Sequence, residues 1–145
     1  MAGVWMNGQL RRILVGYDGS IESERALQVA FALVQCTESE LFVLAVARPP
    51  EPQPPSRAYA SGAASEQLER ALARLRSRVR RMGIEIKTQV AGGHPAQEII
   101  RKAREDQVDL IVVGQQGMSR REELALGSIA QHVLSHAPCP VMVTK

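Results

Sequence analysis

The feature that most constrains the fold is a set of short, continuous apolar runs rich in β-branched residues. They cover residues 13–17, 41–46 and 110–113. Short runs of this kind, without alternation, are typical of strands that are buried on both faces, as in parallel sheets. Residues 84–90 instead alternate apolar and polar side chains, so they predict a half-exposed strand at a sheet edge. Residues 140–143 are predicted to form the last strand.

Helical patterns lie between these runs. Ser20 is a predicted N-cap ahead of the first helix, Pro95 occupies a first helical turn, and Gly127 with Ser128 opens the segment up to residue 136. Gly83 ends a helix predicted over residues 65–82. That helix carries an apolar stripe of Leu68, Leu72, Leu75, Val79 and Met82.

Five strands alternating with four helices predict a single-domain α/β three-layer sandwich around a parallel sheet. The third strand is predicted at one edge and the last at the other, and the first and fourth are predicted to be neighbours; the order that we expect is 3-2-1-4-5. In such a sheet, ligands bind beyond the carboxyl ends of the strands where the strand order reverses. Asp18 and Gly114, which end the first and fourth strands, should therefore converge on one site.

Glycines follow the fourth strand in the spacing Gly114-x2-Gly117-x9-Gly127-Ser128. Glycine lets the backbone approach a ligand closely, and a helix N-terminus offers unpaired N–H groups and a partial positive charge, which suits a phosphate. The alternative is an ordinary strand–loop–helix turn. Asp18 likewise has two interpretations, a ligand-binding carboxylate or a turn residue that caps the first helix.

Length and composition fit one soluble domain of 145 residues, with a net charge of +3 and no apolar run near the ~20 residues of a membrane span. We expect residues 1–10 to be a disordered lead-in, residues 11–145 to form the domain, and residues 48–62, with five prolines, to be a flexible loop. Cys36 and Cys139 are expected to be buried thiols without a disulfide, in a reducing cytoplasm.

Three further patterns permit more than one interpretation. A row of arginines on the helix after the proline-rich loop is either a solvated face or a nucleic-acid or membrane surface; the small net charge and the 3% of aromatic residues favour the solvated face. His132, His136 and Cys139 have a spacing compatible with zinc, but surface histidines near a helix C-terminus are the simpler interpretation. The last strand, Val141, Met142 and Val143, predicts a homodimer through an exposed edge, or else a covered edge.

From residue 13 to residue 144 the chain resembles the universal stress protein family. The resemblance rests on four blocks in the family's order: residues 15–20, residues 93–100, the spacing Gly114-x2-Gly117-x9-Gly127-Ser128, and residues 137–141. It implies an adenine nucleotide alpha hydrolase-like fold. The glycine spacing resembles that of the family's ATP-binding branch. A departure is Gln115-Gln116, where members often carry a basic residue; Arg120 and Arg121 could compensate.

The resemblance implies a nucleotide site. Asp18 would hold the ribose with Gly114 nearby, the Val46 backbone would meet the adenine edge, and Gly127 with its neighbours would bind the phosphates. The full set of implied binding residues is Tyr17, Asp18, Gly19, Ser20, Val46, Val113, Gly114, Gln115, Gly117, Gly127, Ser128 and Ile129.

The expected function is a cytoplasmic, non-enzymatic stress-response regulatory or sensor module that binds ATP, or AMP or ADP, with or without Mg²⁺, and presents a changed surface to a protein partner. The chain has no Gly-Lys-Ser/Thr loop that would place a lysine on the phosphates. The alternatives are a dimeric interaction module that binds no nucleotide and a slow ATPase or adenylyl transferase. The sequence does not identify the nucleotide, the partner or the stress.

Overall fold

The computed structural model describes residues 8–49, 60–116 and 126–145. Strands and helices alternate along these residues. The elements are β1 (Arg12–Gly16), α1 (Ile21–Thr37), β2 (Glu40–Ala47), α2 (Ala60–Arg80), β3 (Ile86–Gly92), α3 (Pro95–Glu105), β4 (Leu110–Gly114), α4 (Ser128–His136) and β5 (Val141–Thr144).

The strands form one sheet in the order β3-β2-β1-β4-β5, with every neighbouring pair parallel. The predicted strand order is thereby confirmed. Central β1 pairs on both sides, with Ile13 in register with Leu41 of β2 and with Leu110 of β4. Edge strand β3 alternates in burial, as its sequence predicted, because one of its faces lies towards solvent.

A hydrophobic core fills the space on each face of the sheet. On one face, Ile13 and Val15 pack against residues of α1 and α2. On the other face, Leu14 packs against residues of α3 and α4. Because successive side chains of a strand point to opposite faces, the continuous apolar run of β1 supplies both cores. The three-layer sandwich predicted from the sequence is confirmed.

The structure corrects several details of the sequence prediction. The second helix spans Ala60–Arg80, so Met82 lies beyond its end and is 54% exposed rather than part of the apolar stripe. The chain leaves the helix through a turn in which Met82 N donates to Val79 O and Gly83 takes a φ of 77°. Cys36 is exposed, whereas a buried thiol was expected, because it lies on the solvent side of α1.

The predicted lead-in and the proline-rich loop fall mostly outside the described residues. Within the described part, Leu10 packs against the core and its carbonyl accepts a hydrogen bond from Ser39 Oγ at 2.6 Å. Residues 60–62, placed in the loop by the prediction, belong to α2. No helix in the described residues is both long and apolar enough to cross a membrane.

Candidate functional site

A cleft of about 440 Å³ lies beyond the carboxyl ends of β1, β2 and β4. We call it the strand-end cleft. It lies at the ends of β1 and β4, the two neighbouring strands from which the chain continues to opposite sides of the sheet. This is the reversal point of the strand order. Its lining residues are Gly16, Tyr17, Asp18, Ser20, Ser23, Leu44, Val46, Arg48, Leu68, Pro95, Ile99, Val113, Gly114, Gln116 and Ile129.

The turn from β1 into α1 brings Asp18 and Ser20 to the cleft. Asp18 Oδ1 accepts a hydrogen bond from Ser20 N at 2.9 Å, and Ser20 Oγ accepts one from Ser23 N at 3.2 Å as the N-cap of α1. Gly19 permits the turn because its φ is 82°, and it does not line the cleft. Asp18 therefore supports the turn and also lines the cleft, so the two interpretations of this residue are compatible.

The glycine that ends β4 is required by packing. A Cβ at Gly114 would lie 2.7 Å from Cβ and 2.9 Å from the carbonyl carbon of Glu22, which is buried in the first turn of α1. Strand β4 and helix α1 can approach this closely only because residue 114 has no side chain. The same approach brings Gly114 to the cleft wall beside Val113.

The backbone after β4 is tied to the start of α4. Gln115 N donates to Thr144 O at 2.7 Å, and Gln115 O accepts from Gly127 N at 2.7 Å. These bonds use the backbone N–H and the backbone carbonyl of Gln115. Gln116 lines the cleft, whereas the predicted Gln115 does not. Gly117, also predicted for the site, lies outside the described residues.

The N-terminus of α4 borders the cleft through Ile129. Gly127 is the N-cap and provides no side chain to cap the helix, while Ser128 is exposed beside it. The first N–H groups of a helix have no acceptor within the helix. Since Gly127 N already donates to Gln115 O, the N–H groups that have no acceptor within the described residues, and that could meet an anion, are those of Ser128, Ile129 and Ala130.

Tyr17 lines the cleft, and a hydrogen bond from its hydroxyl group to α1 holds its side chain. Its hydroxyl donates to Glu24 Oε1 at 2.8 Å, and the other oxygen of Glu24 accepts from Arg78 of α2 at 2.8 Å. Burial, followed by the hydrogen bond to Glu24 and the negative charge of Glu24, raises the pKa of Tyr17 to about 12. Tyr17 is therefore a neutral wall of the cleft at physiological pH.

Seven of the predicted residues line the cleft in the described structure: Tyr17, Asp18, Ser20, Val46, Val113, Gly114 and Ile129. Sequence reasoning missed Leu44 and Arg48, although they stand two residues either side of Val46 and the period of a strand could have indicated them. Leu68 comes from α2 and Pro95 and Ile99 come from α3. No local pattern placed these three residues beside the strand ends.

The histidines lie together but away from the cleft lining. The rings of His132 and His136 stack with centroids 4.5 Å apart, and the ring of His94 is 6.0 Å from that of His132. Within the described ranges, no cluster of histidine, cysteine and carboxylate side chains could hold a metal ion. His132 is half-buried and His136 is exposed at the C-terminal end of α4.

Comparison with known proteins agrees with this architecture. The model of the universal stress protein family matches residues 9–145. A universal stress protein of Methanocaldococcus jannaschii is 30% identical over 139 residues, which cover 93% of this chain and 82% of the relative. One from Thermus aquaticus is 33% identical over 136 residues, covering 93% and 98%.

Solved structures share the fold. The universal stress protein UspA from Lactobacillus plantarum superposes with a TM-score of 0.87 at 26% identity, covering 96% of this chain and 100% of that one. A universal stress protein in complex with cAMP has a TM-score of 0.66 at 24% identity, with 93% and 96% covered. One from Arabidopsis thaliana with AMP bound has a TM-score of 0.65 at 18% identity, with 93% and 91% covered.

The fold and the strand-end cleft thus define an α/β protein with a ligand-sized site at the reversal point of a parallel sheet. The chain belongs to the universal stress protein family.

Proposed function

We propose that the protein binds an adenine nucleotide in the strand-end cleft as a non-enzymatic stress-response module. The observation that carries the proposal is the convergence of two unlike features on one cleft: the Asp18 carboxylate, and the N-terminus of α4, whose N-cap contributes no side chain. A carboxylate accepts hydrogen bonds from sugar hydroxyls, and a helix N-terminus favours a phosphate. A nucleotide presents both groups.

The lining between and beside these features is apolar. Leu44 and Val46 of β2 and Ile99 of α3 form a surface against which a planar base can be buried. The base would therefore lie at the β2 side, the ribose at Asp18, and the phosphates at the α4 side. The backbone N–H groups of Ser128, Ile129 and Ala130 would bind the phosphates, together with Gly117 of the glycine spacing, and Gly127 would leave space for them because it has no side chain.

The family relatives support an adenine nucleotide as the ligand class, because structures of this fold contain cAMP and AMP. The spacing Gly114-x2-Gly117-x9-Gly127-Ser128 resembles that of the family's ATP-binding branch, so ATP, with or without Mg²⁺, is a candidate ligand beside AMP and ADP. Asp18 is the sole carboxylate lining the cleft in the described residues, so phosphate and water would supply most of the metal's ligands.

We place the protein in the cytoplasm and in a homodimer. Edge strand β5 leaves Met142 37% exposed, with Val141 and Val143 half-buried beside it. An exposed apolar edge strand is a template for pairing with a second chain.

Met142→Lys should convert the dimer to a monomer in sedimentation experiments, because a charge on the shared edge must be desolvated. Met82→Lys is the matched control, since Met82 is exposed elsewhere. A monomeric wild type, or a dimer unchanged by Met142→Lys, would refute pairing through β5.

Calorimetric titration of AMP, ATP and ATP with Mg²⁺ into nucleotide-stripped protein tests the nucleotide proposal. Asp18→Asn keeps an amide oxygen that can accept from Ser20 N, so the turn persists while the carboxylate charge is lost. We expect the affinity to fall at least ~10-fold, or about 1.4 kcal/mol. Asp106→Asn, at the C-terminal end of α3, is the matched control and should bind as the wild type does.

Other outcomes distinguish the alternatives. A folded wild-type protein that binds no adenine nucleotide would refute the proposal and leave a dimeric interaction module. Release of phosphate or pyrophosphate from ATP that disappears in Asp18→Ala would instead identify a slow ATPase or adenylyl transferase.

A further inference from the structure

Arg48 is the only positively charged side chain that lines the strand-end cleft in the described residues. It follows directly on β2, which ends at Ala47, and it is exposed at the rim of the cleft. In the described part of the chain it takes part in no hydrogen bond or ion pair, whereas Arg78 and Arg101 are paired with carboxylates. Within the described residues the guanidinium of Arg48 therefore has no ionic or hydrogen-bonding partner, and it lies beside the cleft.

The strand order determines at which end of the cleft Arg48 lies. Strand β2 lies on one side of β1 and β4 lies on the other, so the ends of β2 and β4 are separated by two strand spacings, or ~10 Å. The N-terminus of α4 follows β4, and it is the feature suited to phosphate. Arg48 therefore lies at the end of the cleft opposite to the proposed phosphate position.

The cleft lining contributed by β2 and α2 is apolar beside Arg48. Leu44 and Val46 line the cleft from the same strand, two residues apart, and Arg48 continues that spacing by two more residues. Leu68 of α2 lines the cleft as well and packs against the core. A flat ring bound among these aliphatic side chains would leave space at the rim of the cleft for the side chain of Arg48.

A guanidinium suits that position because it is planar, weakly hydrated and always charged, and it stacks on the face of an aromatic ring. We infer that Arg48 stacks on the nucleobase and is a determinant of affinity and base preference. The inference rests on the proposed nucleotide site. It adds that the one uncommitted cation of the described cleft acts on the base, and that the phosphates depend on the backbone of the α4 N-terminus.

The test is the affinity of adenosine, AMP and ATP for the wild type, Arg48→Ala and Arg48→Lys. Stacking on the base predicts the same three- to ten-fold loss for all three ligands in Arg48→Ala. Arg48→Lys should recover little, because an ammonium is a point charge without a planar face. The preference for AMP over uridine monophosphate should fall as well, since the smaller pyrimidine offers less area for stacking.

Arg80→Ala is the matched control, because Arg80 is an exposed arginine near the C-terminal end of α2 that does not line the cleft. A loss that is absent for adenosine, grows with the number of phosphates and is recovered by lysine would overturn the inference in favour of a phosphate contact. Unchanged affinity for all ligands in Arg48→Ala would also overturn it. Failure of the proposed function itself is seen separately, as absence of binding by the wild type.

Discussion

Gly114→Ala tests the packing at the centre of the fold. The added Cβ would lie 2.7 Å from Glu22 Cβ, 2.9 Å from its carbonyl carbon and 3.1 Å from its carbonyl oxygen. These atoms belong to or adjoin the backbone of α1, so relief requires a shift of the whole first turn. Overpacking of this kind costs ~1–3 kcal/mol. Because backbone must move, we expect about 3 kcal/mol, and a melting temperature lower by ~6–10 °C.

Two other glycines give matched comparisons in urea and thermal unfolding. A Cβ at Gly16 would lie 2.8 Å from Ile99 Cδ1, the end of a flexible side chain, so Gly16→Ala should cost less than Gly114→Ala. A Cβ at Gly92 would meet nothing within 4 Å, and Gly92→Ala should change stability by less than ~0.5 kcal/mol. Equal stability of the three variants would refute the reasoning and leave ligand approach as the reason for Gly114.

The remaining predictions concern titration and reactivity. In a Tyr59→Phe background, ultraviolet titration should show Tyr17 ionising near pH 12, and Glu24→Gln should lower that pKa but leave it above 10 because burial is the larger cause. Because the pKa of Tyr17 is higher in the folded than in the unfolded protein, its contribution to the free energy of unfolding is fully present below pH 10 and is lost as the pH rises towards 12. An unshifted pKa of Tyr17 would contradict this prediction. A thiol reagent at pH 8 should label exposed Cys36 at least ~10-fold faster than Cys139, whose pKa burial raises to about 11; two equal rates would refute this.

The sequence was sufficient for the architecture because the period of its apolar residues reports burial directly. The uninterrupted run of β4 is buried on both faces, and the alternating run of β3 lies at an edge. Ser20 and Pro95 occupy the helix starts that their chemistry predicted. The third and last strands were assigned to the two edges and the first and fourth were expected to be neighbours, and the position of the cleft followed from that pairing.

Long-range packing was beyond the reach of sequence reasoning. The approach of Gly114 to Glu22 joins segments that are far apart in the chain, and a glycine after a strand is equally expected for a turn or for a ligand. The contribution of Leu68 to the cleft depends on how α2 lies across the sheet. Met82 fits the helical period of the apolar residues in α2, but the helix ends at Arg80, ahead of the turn at Gly83.

Gln116 lines the cleft in place of the predicted Gln115 for a local reason. The Gln115 amide continues the ladder to β5 by donating to Thr144 O, and its carbonyl accepts from Gly127 N. The first residue after β4 therefore belongs to the framework, and the second is the one that lines the cleft. A spacing of glycines does not distinguish the two.

Amide chemical-shift mapping of the folded protein during titration with AMP shows directly whether the strand-end cleft binds the nucleotide. We predict saturable shifts at the strand ends and the start of α4, with Ser20, Val46 and Ile129 among the largest, and small shifts in Asp18→Asn at the same AMP concentration. The opposite end of the sheet has its own hollow, lined by residues that include Arg11 and Glu38. Shifts confined to that hollow, or no saturable shifts at all, would contradict nucleotide binding in the strand-end cleft.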